Sequence, residues 1–234
     1  VEIVAFLEQH YQLSPDKLIA DIGAGTGISA ELFLDAGYKV IAIEPNKEMR
    51  EKSIALLQHR FSGFYALDGT AENTGLEEEN VDAIIAGQAF HWFDREKAKV
   101  EFERILKPGG IVVLVWNERN TISGFEKEYD ELIKQHGKDY VTVDHRNISD
   151  EFIAAFFNPA PVQLEVFKNQ QVFDFNGLEG RLLSSSYMPS REDEGYERMI
   201  SAVRHLFDRY QENDRITIHY ATKVYVGRLN KEAR

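Results

Sequence analysis

An α/β fold, doubly wound around a mostly parallel sheet, is what the sequence predicts, and three observations predict it. Short apolar runs of strand length alternate with segments of helical period from LIADI onward. A glycine-rich turn, DIGAGTG (Asp21–Gly27), joins the first such strand directly to a helix, and carboxylates stand at strand ends at Glu44 and Asp68. This strand–helix–strand rhythm favours parallel pairing with helices on both faces over a sandwich or a helical bundle.

Each element follows in order. VEIVAFLEQHY brings Val4, Leu7 and Tyr11 close to one face of a helix, and Pro15 punctuates the chain before the strand LIADI. Ile28 to Ala36 suits a helix, KVIAIE a strand ending at Glu44, and Asn46 can cap a helix that begins near Lys47 and turns Met49, Ile54 and Leu57 to its apolar side. FSGFYAL ends beside Asp68, and VDAIIAG follows a polar loop. Asp94 can cap the next helix, in which Val100, Ile105 and Leu106 offer core contacts; Pro108, Gly109 and Gly110 then break the chain before the buried strand IVVLVW.

Beyond Asn117 the rhythm changes. Phe125, Tyr129, Leu132 and Ile133 make one amphipathic helix and Glu151 to Phe157 a shorter one, ahead of Pro159, Pro161 and the strand VQLEVF. Ser190 and Asp193 have capping-box spacing at the start of a helix whose stripe is Tyr196, Met199, Ile200, Val203, Leu206 and Phe207. ITIHYATKVYV alternates with a period of two, as a strand does. With no internal repeat or low-complexity linker, a single domain over 1–234 is expected, with 118–160 and 176–210 as substrate-side or lid elements integrated into it.

Composition narrows the function classes. Apolar residues make up 43% of the chain and charged residues 28%, enough for a core and unlike a disordered chain. No apolar run spans a bilayer, and Glu2, Glu8 and His10 interrupt the first segment, so a cytoplasmic protein without a membrane partner is the expectation. Without Cys there is no thiolate nucleophile or thiolate metal site, and the seven His residues form no compact ligand spacing, so no metal is expected. The formal charge of −12 argues against a broad nucleic-acid surface, although a local Arg or Lys pocket for one carboxylate is compatible with it. Oligomeric state is not legible.

The chemistry concentrates at the strand ends. Gly23, Gly25 and Gly27 let the backbone approach a ligand or adopt conformations closed to other residues, although a purely structural turn would use them too. Glu44, at the end of the second strand, is placed to accept both hydroxyl hydrogens of a ribose. Asp68, after the third, can accept from an adenine amino group or simply sit in an acidic turn. Three such signals on one sheet edge carry more weight together than apart.

DIGAGTG, IEPN, DGTAEN and AGQAFHWFD together resemble the class I S-adenosylmethionine-dependent methyltransferases, especially the small-molecule group called type 11. The resemblance is strong over residues 15–117 and less specific beyond. It implies a seven-stranded sheet with a reversed terminal strand, VQLEVF and ITIHYATKVYV being its last two elements, and S-adenosyl-L-methionine as cofactor. It further implies that Asp21 meets the methionine amino group, that Gly23, Gly25 and Gly27 form the cofactor turn, and that Glu44 holds the ribose. Pro45, Asn46 and Met49 would border ribose and adenine, Asp68 and Ala71 the adenine side, and Gln88, His91 and Trp92 the methionine and acceptor end. Many members carry a longer N-terminal cofactor cover, and were residues to precede Val1, closure over the cofactor would depend on that segment.

The acceptor is expected to be a small molecule methylated on oxygen, nitrogen or a carboxylate. His91 is the candidate base, a role an already ionised acceptor would not need, and the alternative is a hydrogen-bonded loop histidine. Trp92 and Phe93 either exclude water from the acceptor slot or anchor the loop. Asn117 can bond the acceptor or cap its strand; Arg181 can pair with a substrate carboxylate and Tyr187 orient a polar oxygen, or both can serve the surface and core. Two other readings share the fold: a noncatalytic S-adenosylmethionine-binding module, and an NAD-dependent dehydrogenase, against which the glycines stand as G-A-G-T-G rather than G-x-G-x-x-G.

Overall fold

A computed structural model describes residues 2–138, 149–185 and 187–229. Residues 139–148 and Ser186, which belong to the expected substrate-side segments, lie outside the described residues. In chain order the elements are α1 (Glu2–Tyr11), β1 (Leu18–Ile22), α2 (Ile28–Asp35), β2 (Lys39–Ile43), α3 (Lys47–Leu57), β3 (Phe64–Leu67) and β4 (Val81–Gly87). A short 3-10 turn (Phe90–Trp92) precedes α4 (Arg95–Ile105), β5 (Leu106–Arg119), α5 (Gly124–His136) and α6 (Asp150–Phe157). The chain closes with β6 (Val162–Phe173), α7 (Phe175–Leu183), α8 (Tyr196–Tyr210) and β7 (Ile216–Gly227).

The strands form one mixed seven-stranded sheet in the order β3-β2-β1-β4-β5-β7-β6, with β7 antiparallel between β5 and β6. β3, β2, β1, β4 and β5 pair in parallel, so their carboxyl ends share one edge. Two compact units divide the described residues: one from Val1–Trp116, Ile148–Phe167 and Lys223–Arg234, the other from Asn117–Asn147 and Lys168–Thr222. Among the described residues no helix is long and apolar enough to cross a membrane.

In the first unit the strand period of two separates two cores. Ile19, Val40, Ala42, Ala83, Ile85 and Val113 pack with Leu7 of α1, Phe33 of α2 and Leu57 of α3. Their neighbours in sequence, Ala20, Ile43, Ile84, Ala86, Val112 and Leu114, pack with Phe102 of α4 and Phe156 of α6. Strands covered on both faces read as continuous apolar runs, which is why VDAIIAG and IVVLVW were visible in the sequence. The second unit has a core of its own, in which α5, α7 and α8 bring Tyr129, Leu178 and Met199 against Ile218 of β7.

Four elements differ from the sequence reading. The Pro108-Gly109-Gly110 break falls inside β5, where the pairing jumps from Val81↔Leu106 to Ala83↔Ile111 and the intervening residues bulge out, Gly109 at φ +78°. The Ser190–Asp193 pair does bond, Asp193 Oδ2 accepting from Ser190 N and Oγ at 2.7 and 2.8 Å, but it starts no helix. α8 begins at Tyr196, after Gly195 at φ +100° has turned the chain. β6 runs on to Phe173, and α7 was not anticipated, because Gly177 and Gly180 dilute its helical pattern.

The capping box that does form lies at Ser123. Ser123 Oγ accepts from Glu126 N, while the fully buried Glu126 carboxylate accepts from Ile122 N and Ser123 N at 2.9 Å each. Its other oxygen receives His219 N at 2.9 Å and faces His219 Nδ1 at 2.8 Å, so one carboxylate joins α5 to β7 within the second unit. Burial pushes this carboxyl up, but the donors from Ser123, His219 and Ile122 outweigh it and hold it at about 2. Its folded value therefore lies below the ordinary 4.5, so the stability it contributes is present above about pH 4.5 and lost as pH falls toward about 2. Glu126→Gln, which turns an amide nitrogen toward these donors, should cost roughly 2–3 kcal/mol in urea denaturation and remove that acid-side loss.

Candidate active site

The carboxyl ends of the parallel strands assemble the site. β1 delivers Asp21 and breaks at Gly23, whose N–H donates to Ile43 O of β2 at 2.9 Å, so the turn is tied to the neighbouring strand. Gly23 has φ +70°, and a Cβ there would come within 2.6 Å of Ala89 Cβ, so both backbone conformation and space exclude a side chain. Gly27 is constrained by its φ of +90°, and a Cβ there would come within 2.5 Å of Leu57 Cδ1 of α3. Gly25 differs: φ is +56°, but nothing lies within 4 Å of where its Cβ would stand, so the middle of the turn faces open space.

Glu44, at the end of β2, is only 7% exposed, and its two oxygens are used separately. Oε2 accepts from Gly25 N and Oε1 from Asn46 N, both at 2.8 Å. The carboxylate thus spans the turns after β1 and β2 and retains lone pairs for further donors. Asn46 caps α3 as expected, its Oδ1 accepting from Met49 N at 3.0 Å, while Pro45 and Met49 are exposed beside it.

Asp21 is 1% exposed. Its Oδ2 accepts from Ser29 Oγ at 2.7 Å, whereas Oδ1 is buried without a hydrogen-bond partner. Burial, aided by the charge of Glu44, pushes the Asp21 carboxyl up to about 7 against the pull of Ser29 and the Ala30 amide. A buried acid with one oxygen unserved suits a cationic donor that would complete its bonding.

Asp68 follows β3 with its side chain 73% exposed, and pairs with Arg50 Nη2 at 3.3 Å. Ala71 is buried nearby in sequence, in the core that contains Ile43. Gln88 follows β4 in a left-handed conformation, φ +58°, its N–H bonded to Val115 O of β5. His91 lies on the 3-10 turn, which Phe90 anchors by edge contacts to Phe93, Trp116 and Phe156. Trp92 is 70% exposed and meets the His91 ring at a centroid distance of 4.8 Å, while Phe93 packs on Phe102. Of the two aromatics, Phe93 is the anchor.

The first unit therefore gathers Asp21, the three glycines, Glu44, Asp68, Gln88 and His91 along one sheet edge. Asn117, Arg181 and Tyr187 are in the second unit. Asn117 Oδ1 receives a short hydrogen bond from Thr222 Oγ1, and Arg181 has Tyr187, Tyr129 and Tyr220 as neighbours. Sequence reasoning missed Arg50, whose Nη1 donates to Glu44 O and Pro45 O at 2.6 and 3.2 Å while Nη2 holds Asp68, locking the ends of β2 and β3 together. A cation one turn into a helix that starts beside a strand-end acid was the available signal. Ser29, which orients Asp21, was missed for want of any distinguishing pattern. Among the described residues, no cluster of His, Asp and Glu could hold a metal ion.

Comparison with known proteins agrees with this arrangement. Residues 20–114 match the family model described as Methyltransferase domain. An uncharacterized methyltransferase of Mycobacterium tuberculosis is 38% identical over 130 residues, covering 54% of this chain and 52% of that protein. The chain thus spans about half the length of the mycobacterial relatives it matches. An uncharacterized methyltransferase of Schizosaccharomyces pombe is 26% identical over 231 residues, 96% of this chain and 88% of that protein. The crystal structure of YcgJ from Bacillus subtilis superposes with a TM-score of 0.61 at 20% identity, over 99% of both chains, a likeness of fold. Over residues 20–114 the chain is similar to a methyltransferase domain, and its fold is that of the class I S-adenosylmethionine-dependent methyltransferases.

Proposed function

We propose that this protein transfers the methyl group of S-adenosyl-L-methionine to a small-molecule acceptor. The observation that carries the reading is the pairing of an unserved, buried Asp21 oxygen with a Glu44 carboxylate fixed by two backbone amides, on either side of a glycine turn open at Gly25. This donor and acceptor set fits the cofactor: Asp21 takes the methionine ammonium, Glu44 the ribose hydroxyls, and Asp68 the adenine amino group. Pro45, Asn46, Met49 and Ala71 border the nucleoside, and Gln88 the methionine end. When bound, the cofactor supplies a methyl group already activated on a sulfonium, so the chain's task is to orient, desolvate and, for some acceptors, deprotonate.

His91 receives the acceptor's proton where there is one to lose; the 3-10 turn holds it rigidly through Phe90. Trp92 contributes to the acceptor side. A noncatalytic cofactor-binding module would use the same Asp21 and Glu44 but would form no S-adenosylhomocysteine with any acceptor.

Replacement of Glu44 by Gln should weaken S-adenosylmethionine and S-adenosylhomocysteine alike, roughly tenfold to a hundredfold by calorimetric titration, and unchanged affinity in a folded variant would exclude the ribose role. Because the Asp21 carboxyl stands at about 7 in the ligand-free protein, affinity should fall up to tenfold per unit as pH drops below that value and level off above it. The same upward displacement from 3.8 means that the folded chain holds a proton the unfolded chain has released, so urea stability should decline from about pH 4 to 7. Asp21→Asn should abolish both dependences. For a phenol or amine acceptor, His91→Gln should slow single-turnover methylation on the order of a hundredfold with cofactor affinity retained; an unchanged rate and pH profile would remove the base.

A further inference from the structure

The helix that follows the His91 turn lacks half of its own cap. Asp94, at the N-cap of α4, accepts the Lys97 amide on Oδ1 at 3.3 Å. In a complete capping box the third helical residue returns the bond, its carboxylate accepting the N-cap amide, as Glu126 does for Ser123. In α4 that third residue is Lys97, whose Nζ pairs with Asp94 Oδ2 at 2.6 Å and which has no acceptor to offer. The Asp94 N–H donates instead to Glu72 Oε1 at 2.8 Å. Glu72 stands 22 residues earlier, directly after Ala71, so the adenine-side segment completes the cap of α4.

That segment is held as a block. Thr70 and Asn73 exchange backbone hydrogen bonds of 3.0 and 3.3 Å, and Ala71 is buried in the core that contains Ile43 and Phe102. Just beyond, the fully buried Thr74 donates through N and Oγ1 to Glu101 Oε1 of α4, at 2.9 and 2.6 Å. Arg104 binds both oxygens of Glu101, through Nε at 2.7 Å and Nη2 at 2.8 Å, and its Nη2 also reaches Leu76 O at 2.7 Å. Burial pushes the Glu101 carboxyl up, but Arg104 and Thr74 outweigh it and hold it below its ordinary value. The block is thus fastened to α4 twice, and the two fastenings differ in what lies beyond them. Glu101 belongs to the body of the helix. Asp94 follows directly on the 3-10 turn, whose last bond runs from Phe93 N to Phe90 O at 3.2 Å. A shift of the block carries Glu72 with it, and so moves the bond that fixes where the turn ends and the helix begins.

We propose that Glu72 is a positioning residue that sets the His91 turn from the adenine side, so that the turn responds to a ligand bound there. The capping half stands on the hydrogen bonds alone; the coupling half rests on the adenine placement proposed above.

Amide hydrogen exchange of the whole chain, resolved by NMR, tests both halves. Glu72→Ala removes the acceptor, whereas Glu72→Gln keeps an oxygen for the Asp94 amide. Without ligand, exchange at Asp94 N should rise about tenfold in Glu72→Ala, return close to the wild-type rate in Glu72→Gln, and stay unchanged at Phe102 and Ile105 in both. An unaltered Asp94 rate in Glu72→Ala would overturn the cap, and an equal rise along all of α4 would overturn it as a general loosening of the helix. Saturating S-adenosylhomocysteine should then slow exchange of the turn and Asp94 about fivefold in wild type and Glu72→Gln, and leave it unslowed in Glu72→Ala at matched occupancy. Equal slowing in Glu72→Ala would overturn the coupling. Failure of S-adenosylhomocysteine to bind the wild type would overturn the cofactor reading and the coupling half together, and leave the cap. A Glu72-dependent response with no methyl transfer to any acceptor would overturn methyl transfer and support the coupling.

Discussion

One carboxylate fixes the geometry on which the candidate site depends. Glu44 accepts from Gly25 N with one oxygen and from Asn46 N with the other, so the turns leaving β1 and β2 are held at a set separation by two charge-assisted hydrogen bonds. Hydrogen bonds to an ionised partner are each worth about 1.5–3 kcal/mol, more than an exposed ion pair supplies. The cost is a buried negative charge close to a second acid, Asp21, and that proximity helps to lift the Asp21 carboxyl to about 7. Such a pairing is unfavourable in isolation and becomes useful when a ligand brings a cation and hydroxyl donors to the same turn.

The rest of the first unit serves that turn. Gly23 must lack a side chain because Ala89 occupies the space, and Gly27 because Leu57 does, so the glycine loop is wedged between the start of the His91 segment and α3. Arg50 closes the other side by binding the carbonyl of Glu44 and the carboxylate of Asp68 together. The strands that carry these groups are covered on both faces, by Phe33 and Leu57 on one and Phe102 and Phe156 on the other, which leaves the carboxyl edge as the place where polar groups face outward. The second unit is organised differently, around Glu126 and a tyrosine-rich core.

Much of this was legible from residue order. Strands β1, β2, β4 and β5 announce themselves because double burial writes continuous apolar runs, and Asn46 and Asp94 announce α3 and α4 because a cap needs a short polar acceptor at one position. The strand-end positions of Asp21, Glu44 and Asp68 follow from the same reading. What escaped it depends on contacts distant in sequence. The Pro108-Gly109-Gly110 segment looks like a loop, yet pairing with β4 on both sides makes it a bulge within β5. Ser190 and Asp193 have the spacing of a capping box, yet Gly195 moves the helix start beyond them. The role of Arg50 emerges only when β2 and β3 lie side by side, and the phenol surroundings of Arg181 only when α5, α7 and β7 converge.

As the proposed receptor for an adenosyl amino acid, Glu44 and Asp21 can be tested by a crystal structure of this chain with S-adenosylhomocysteine. Both ribose hydroxyls should lie on Glu44 with its bonds to Gly25 N and Asn46 N kept, and the ligand ammonium within hydrogen-bond distance of Asp21 Oδ1. A ligand bound elsewhere, or one that displaces Glu44 from the glycine turn to gain its place, would contradict it.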